Sequence, residues 1–359
     1  MTTTKQRLIT FIPIAFMPIA LVLTATGVGA QRQRPASEPL YNAKVDPALP
    51  IYRSAASISG SLKGICSETF PDLMKLWVDG FRTHHPAVTI DVDPTGGGVG
   101  SKALAEGQVD FAAVTREISP ADEELFVKHY GYKPLEVAVV GGSYRSYGFT
   151  DALTFFVHKD NPIEHLSFTQ IDAIYSKTRL RGGIEPIVTW GQVGQRAHGK
   201  MTAEWADKPI HAWGVEPWNG FEQFIRLRVL KGGEWRDGLS TEKLVIPLPD
   251  RVAADRYAIS YSGIAYLKPD VAVKRIAVSE NPDGPFLKGT FDEVAAQAYP
   301  LARVMYFYVN RPPGKPVDSR VREFLRFILS RDGQQAAVQD AIYTPLPLRL
   351  VNASLDRLQ

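Results

Sequence analysis

The side chains able to do chemistry in this chain are few, and most stand alone. Its single cysteine, Cys66, excludes an intramolecular disulfide and any cysteine-based metal cluster, and no histidine partners it in sequence. His84 and His85 adjoin at a helix end before Pro86, and adjacent side chains do not converge on one metal ion. His158, His165 and His198 have no ligand-like spacing. No Gly-x-Ser-x-Gly, Walker or dinucleotide fingerprint is present, so the sequence predicts no catalytic residue, no metal and no cofactor. What remains is a glycine-rich turn, Gly96-Gly97-Gly98-Val99-Gly100, and hydroxyls at strand-to-helix turns, where Ser67 or Thr69 also suits a helix cap. Backbone N–H groups at such helix starts favour anions. Trp213 and Trp218 flank a loop and suit either core packing or stacking on a ligand.

The elements that must position these groups alternate. Phe70 to His84 carries Leu73, Met74, Trp77, Val78 and Phe81 on one helical face, and Val88, Ile90 and Val92 alternate as in a strand. Ser101 to Gly107 reads as a short helix, with Ser101 as its cap, and Val109 to Val114 as a buried strand. Helix 122–129, strand 137–140 and strand 153–157 follow. Ser167 caps a helix to Ser176, with Gln170 completing a capping box. The region 182–198 is loop-rich. Strand 210–213, helix 220–230, the strand-turn segment 258–266, strand 304–309 and helices 321–329 and 333–338 complete the chain. The β-α-β-α-β start predicts a parallel sheet with helices on its faces, binding ligands at the carboxyl ends of its strands.

The first 30 residues read separately. Lys5 and Arg7 precede an apolar stretch, Leu8 to Val28, broken by Pro13 and Pro18 and ending in Val28-Gly29-Ala30. This is a signal-peptide pattern, with cleavage expected after Ala30 and a periplasmic or secreted product; retention as an anchor is the alternative. Residues 31–50 are polar and proline-bearing and predict a flexible tether. The rest, about 310 residues, suffices for two domains. A net charge of +3, from 41 basic and 38 acidic residues without a basic block, excludes a nucleic-acid binder.

Taken in order, several segments resemble the phosphate-binding-protein-like family of periplasmic solute-binding proteins. They are Cys66-Ser67-Glu68-Thr69-Phe70 with Leu76-Trp77, Gly96 to Leu104, Val109 to Arg116, Asp151 to Leu153, Val157 to Ile163, Leu166 to Ser176, Ile259 to Tyr266, and Tyr299-Pro300-Leu301-Ala302-Arg303. The resemblance implies an α/β, two-lobed periplasmic-binding-protein (type II) fold with two interdomain crossings. Lobe 1 would use residues 51–150 and 267–359, and lobe 2 residues 151–266. It implies a monomeric receptor that closes on a small anion, phosphate or a related oxyanion, and delivers it to the membrane subunits of an ABC transporter.

The implied ligand-binding residues are Ser67, Thr69, Phe70, Gly97, Gly98, Thr115, Arg116, Asn219 and Gly220. Thr69 and Phe70 would offer backbone N–H groups. Gly97 stands where the family has a serine, and Thr115 where it has an aspartate. Arg116, found at this place in a related branch, would supply positive charge. The second lobe departs further: Val215 replaces an arginine, Asn219 a serine and Phe221 a threonine, while Glu216 and Glu222 add negative charge. Like charges in a buried cleft are costly. This leaves open a protein that has lost orthophosphate binding and serves another solute or a sensing role.

Overall fold

The computed structural model describes residues 43–55, 57–144, 150–183, 185–194, 202–217 and 219–359. The expected leader, the first part of the tether, His198 and Trp218 lie outside the described residues. The first run of elements is β1 (Gly60–Cys66), α1 (Pro71–His84), β2 (Val88–Asp93), α2 (Gly97–Ala105), β3 (Phe111–Val114), α3 (Pro120–Tyr130) and β4 (Leu135–Ser143). The chain continues through β5 (Leu153–His158), β6 (His165–Ser167), α4 (Phe168–Tyr175), α5 (Trp190–Gly194), β7 (His211–Val215) and α6 (Gly220–Arg228). Then come β8 (Ser240–Glu242), α7 (Leu248–Ala253), β9 (Ala258–Gly263), β10 (Val273–Arg275), β11 (Ala277–Ser279) and α8 (Phe291–Ala295). It ends with β12 (Val304–Val309), α9 (Ser319–Ile328), α10 (Arg331–Asp340), β13 (Tyr343–Thr344) and α11 (Leu348–Asp356).

Two large sheets, in the orders β13-β4-β12-β3-β1-β2 and β10-β5-β9-β7-β8, hold most of these strands, and β11 and β6 form a third, two-stranded sheet. The expected parallel arrangement holds for β1 with β2 and β3. Both large sheets are mixed, however. β12 arrives from the far end of the chain and runs antiparallel to β3 and β4, and β5 runs antiparallel to β9.

Local signals explain the elements. Leu73, Met74, Trp77 and Phe81 form the buried stripe of α1, and Trp77 Nε1 donates to the Gly333 carbonyl at 2.8 Å, fastening α1 to α10. The predicted capping box of α4 forms, with the Ser167 side chain on the Gln170 N–H and the Gln170 side chain on the Ser167 N–H. Ser101 caps nothing: α2 begins four residues earlier, at Gly97, and the Ser101 hydroxyl donates to the Gly97 carbonyl inside the helix at 3.1 Å.

Each of the two large sheets has its own main apolar core. One gathers Leu62, Trp77, Phe81, Phe111, Phe307, Phe324 and Val351. The other gathers Phe155, Ile171, Trp190, Phe221, Tyr261, Val294 and Leu301. The sequence expects the return crossing near 259–266, but β10 pairs with β5, β11 pairs with β6, and Val278, Val294 and Leu301 lie in the second core. We propose that the lobe boundary lies at this later return, just before Arg303. The two crossings run side by side. Gly142 N–H donates to the Arg303 carbonyl at 2.7 Å, and Leu153 N–H to the Leu301 carbonyl at 3.1 Å. A Cβ at Gly142 would lie 2.5 Å from the Thr150 carbonyl and 2.7 Å from the Arg303 Cβ, so only glycine permits this approach.

Residues 43–50, expected as loose tether, pack instead. Leu49 is 1% exposed, Arg331 N–H donates to the Pro50 carbonyl at 2.8 Å, and Leu348 N–H donates to Asp46 at 3.2 Å. Beyond them Tyr52 donates its hydroxyl proton to Glu323 at 3.0 Å and lies 2.7 Å from His85 Nε2. Burial holds the His85 ring below its ordinary value, with Glu323 opposing and His84 adding to the shift. The folded state therefore keeps His85 neutral where the unfolded chain still binds a proton. This contribution to stability is full above the unfolded value near pH 6.5 and is lost as pH falls through the folded value. Melting curves at pH 7.5 and 5.5 check this. The wild type should lose more stability between them than His85→Gln, and equal losses would contradict the linkage.

Candidate functional site

The carboxyl ends of β1 and β3 and the start of α2 meet at one point. The Ser67 hydroxyl oxygen accepts from the Thr115 N–H at 3.3 Å and from the Thr115 hydroxyl at 3.4 Å, which leaves the Ser67 proton to donate. Gly97 lies against this hydroxyl: a Cβ at 97 would sit 2.7 Å from Ser67 Oγ and 3.2 Å from a Val114 methyl. A serine at 97 would force the Ser67 side chain to shift, so here the hydroxyl at this contact is carried by Ser67. The first turn of α2 opens beside it, and a Cβ at Gly98 would meet nothing within 4 Å.

Thr69 adds a buried hydroxyl with no hydrogen-bond partner among the described residues, while its carbonyl accepts from Tyr343 at 2.6 Å. Phe70 departs from expectation. Its N–H is taken by the Ser67 carbonyl at 2.9 Å, and its ring packs edge-on against Trp77 and Tyr343, so it belongs to the core. Cys66, buried behind this turn, has its thiol pushed up to about 12 by burial, then by Asp93 and Glu68, which makes it a poor nucleophile.

Across from these groups stands α6. Arg116 donates to Gln223 Oε1 on its first turns, linking the end of β3 to the second sheet's helix. Asn219 is spent on the helix itself. Its oxygen caps the Phe221 N–H at 2.9 Å and its amide donates to the Lys243 carbonyl at 3.3 Å, so it orders the helix start rather than offering its side chain to a ligand. Gly220 faces open space.

Two objections to an anion change with the geometry. Glu222 is 1% exposed, and one of its oxygens accepts from Arg226 at 2.9 Å and from Trp235 Nε1 at 2.7 Å. Both bonds are made by Oε1 on the core side of α6, while Oε2 is buried with no hydrogen-bond partner among the described residues. Val215 is buried in the second core, a place shaped for an apolar side chain. Trp213 packs on the same core, with Arg251 5.7 Å above its ring. His85 bonds Tyr52 and His158 lies near Asp160, away from these groups.

A residue that the sequence does not single out completes the junction. Arg303, just before β12, donates from Nη2 to the Thr115 carbonyl at 3.1 Å and lies 4.8 Å from the Phe224 ring of α6. Its only sequence signal is its place after Tyr299-Pro300-Leu301-Ala302.

Comparison with known proteins bears on the family. A family profile described as the PBP superfamily domain matches residues 53–332. The chain belongs to this family. This PBP protein is 33% identical over 339 residues to the phosphate-binding protein PstS of Pseudomonas aeruginosa, covering 94% of this chain and 97% of that one. It is 24% identical over 310 residues to PstS of Staphylococcus aureus, covering 85% and 84%. PstS from Borrelia burgdorferi, a solved structure, shares the fold with a TM-score of 0.53 at 16% identity, over 80% of this chain and 100% of that one. The resemblance and the two-lobed fold drawn from the order of the motifs are borne out.

Two outcomes check the local geometry. Gly97→Ser should destabilise the PBP fold by about 1–3 kcal/mol through overpacking against Ser67, and Ser67→Gly in the same chain should recover most of it. Chemical unfolding measures both, and a neutral Gly97→Ser would contradict the steric account. Glu222→Leu should destabilise by about 1–3 kcal/mol, because Arg226 and Trp235 lose their acceptor. A gain in stability would show that Glu222 is an uncompensated charge after all.

Proposed function

We propose that this protein is an exported receptor that binds phosphate or a related oxyanion between its lobes and delivers it to an ABC-type importer, without catalysing a reaction. The observation that carries the reading is the convergence of Ser67 and Thr115 with the start of α2, opposite an α6 that Arg116 already reaches, with Thr69 two residues on in the same turn. The 33% identity to a protein named for phosphate binding supports the choice of anion.

In this reading the Thr69 and Ser67 hydroxyls and the N–H groups of Gly97 and Gly98 donate to the anion from the first lobe. Thr115 stands where an acceptor for a phosphate proton is needed. Gly220 supplies backbone from the second lobe, with the dipole of α6 behind it, while Asn219 keeps that helix start in order. Hydrogen bonds to a charged group contribute about 1.5–3 kcal/mol each, so several of them reach the roughly 8 kcal/mol of micromolar binding after the losses of association. The rival reading, a fold that has lost orthophosphate, leans on Glu216, Glu222 and the missing arginine at 215; of these, Glu222 has one oxygen held by Arg226 and Trp235.

Calorimetry on the purified exported protein should give micromolar or tighter phosphate binding, and no heat at millimolar phosphate would contradict the reading. Arg116→Ala should weaken binding at least about tenfold, or 1.4 kcal/mol. Unchanged affinity would remove Arg116 from the site.

A further inference from the structure

The donors assigned so far are neutral, apart from Arg116, whose guanidinium is held by Gln223. Arg303 is a second cation that meets Thr115 at the junction, and it is 3% exposed. Its place is set by the crossing. The backbone carbonyl accepts from Gly142 N–H at 2.7 Å and from Gln297 at 3.2 Å, so the side chain leaves a fixed point between the two sheets. Nη2 is committed to the Thr115 carbonyl, and Phe224 covers one face of the guanidinium. Nη1 is buried and has no hydrogen-bond partner among the described residues.

A buried guanidinium with an unused N–H is costly, and natural folds retain such a group where something completes it. Burial disfavours its charge, Glu117 and Asp151 favour it, and Arg116 opposes it. An anion placed beside Thr115, under the first turns of α6, would satisfy the open N–H and the charge together. The position of Val215, where the resemblance expects an arginine, is enclosed in the second core and cannot do this.

We propose that Arg303 is a cationic ligand of the bound anion, with Nη1 donating to an anion oxygen while Nη2 stays on Thr115. This rests on the oxyanion reading and adds to it. The charge absent at 215 is supplied from the return crossing, so the ligand bears on the segment that joins the lobes.

The test is calorimetry with inorganic phosphate at pH 8 and pH 5.5 on the wild type, Arg303→Met and Arg303→Lys, with folding checked by circular dichroism. Arg303→Met should weaken binding at least about 30-fold at pH 8, the factor for about 2 kcal/mol on removing one partner of a buried charged contact. The loss should be smaller at pH 5.5, where phosphate carries one charge fewer, and Arg303→Lys should bind better than Arg303→Met. A merely structural arginine would cost the same factor at both pH values, and that result, or unchanged affinity, overturns the proposal. Should Arg303→Met fail to fold, 15N-arginine spectra of the full wild-type protein carry the test. Phosphate must shift a guanidinium resonance that is missing in Arg303→Lys, and no shift overturns the proposal. A wild type that binds no phosphate defeats the oxyanion reading itself. A wild type that binds while Arg303→Met matches it defeats only the role of Arg303.

Discussion

The structure turns on the backbone pairing of its two crossings. The two main apolar cores form on two separate sheets, and in the proposed lobe division the chain passes from one to the other at Gly142–Leu153 and returns at Leu301–Arg303. Hydrogen bonds between Gly142 and Arg303 and between Leu153 and Leu301 lay these segments side by side. The contact is close enough that a side chain at 142 has no room. Everything proposed for the site depends on this seam, because it fixes where the ends of β1 and β3 stand relative to α6. Short paired crossings are also the kind of segment that absorbs a small rotation while the lobes stay rigid.

Around that seam the chain places polar groups in an ordered way. Groups that would oppose an anion are turned away: Glu222 is held behind α6 by Arg226 and Trp235, and the Cys66 thiol is kept neutral by burial. Groups that would favour one are left with capacity. The Ser67 oxygen accepts twice and keeps its proton, the Thr69 hydroxyl has no partner among the described residues, and the same holds for one nitrogen of Arg303. Buried polar groups in a folded protein are nearly all satisfied, so an unpartnered donor on Thr69 and another on Arg303 are informative.

Much of this was legible in the sequence where the signal is local. The stripe of α1, the capping box of α4 and the strand Val304–Val309 follow from periodicity and capping chemistry, and the structure places them as expected. The first-lobe site residues sit at strand-to-helix turns, so their grouping could be anticipated from the alternation of elements. What escaped depends on distant contacts. The second core keeps residues through Leu301, because short strands β10 and β11 pair back onto β5 and β6, and so short a pattern does not announce its partner. Residues 43–50 look like a tether in composition, yet Arg331 and Leu348 hold them. The setting of Glu222 is hidden for a related reason: a charge near a helix start can face either way, although Arg226 four residues on is the local hint. Arg303 meets Thr115 across 188 residues of sequence, and no periodicity encodes that.

The central claim is that an oxyanion binds between the lobes, held by the first-lobe hydroxyls and the cation of the return crossing. A crystal structure of the protein grown with saturating phosphate tests it most directly. The account predicts a tetrahedral anion at the junction of Thr69, Thr115 and the start of α6, with Arg303 Nη1 at a hydrogen-bonding distance of about 2.7–3.2 Å. An empty junction, or an anion bound elsewhere with Arg303 turned from it, would contradict it.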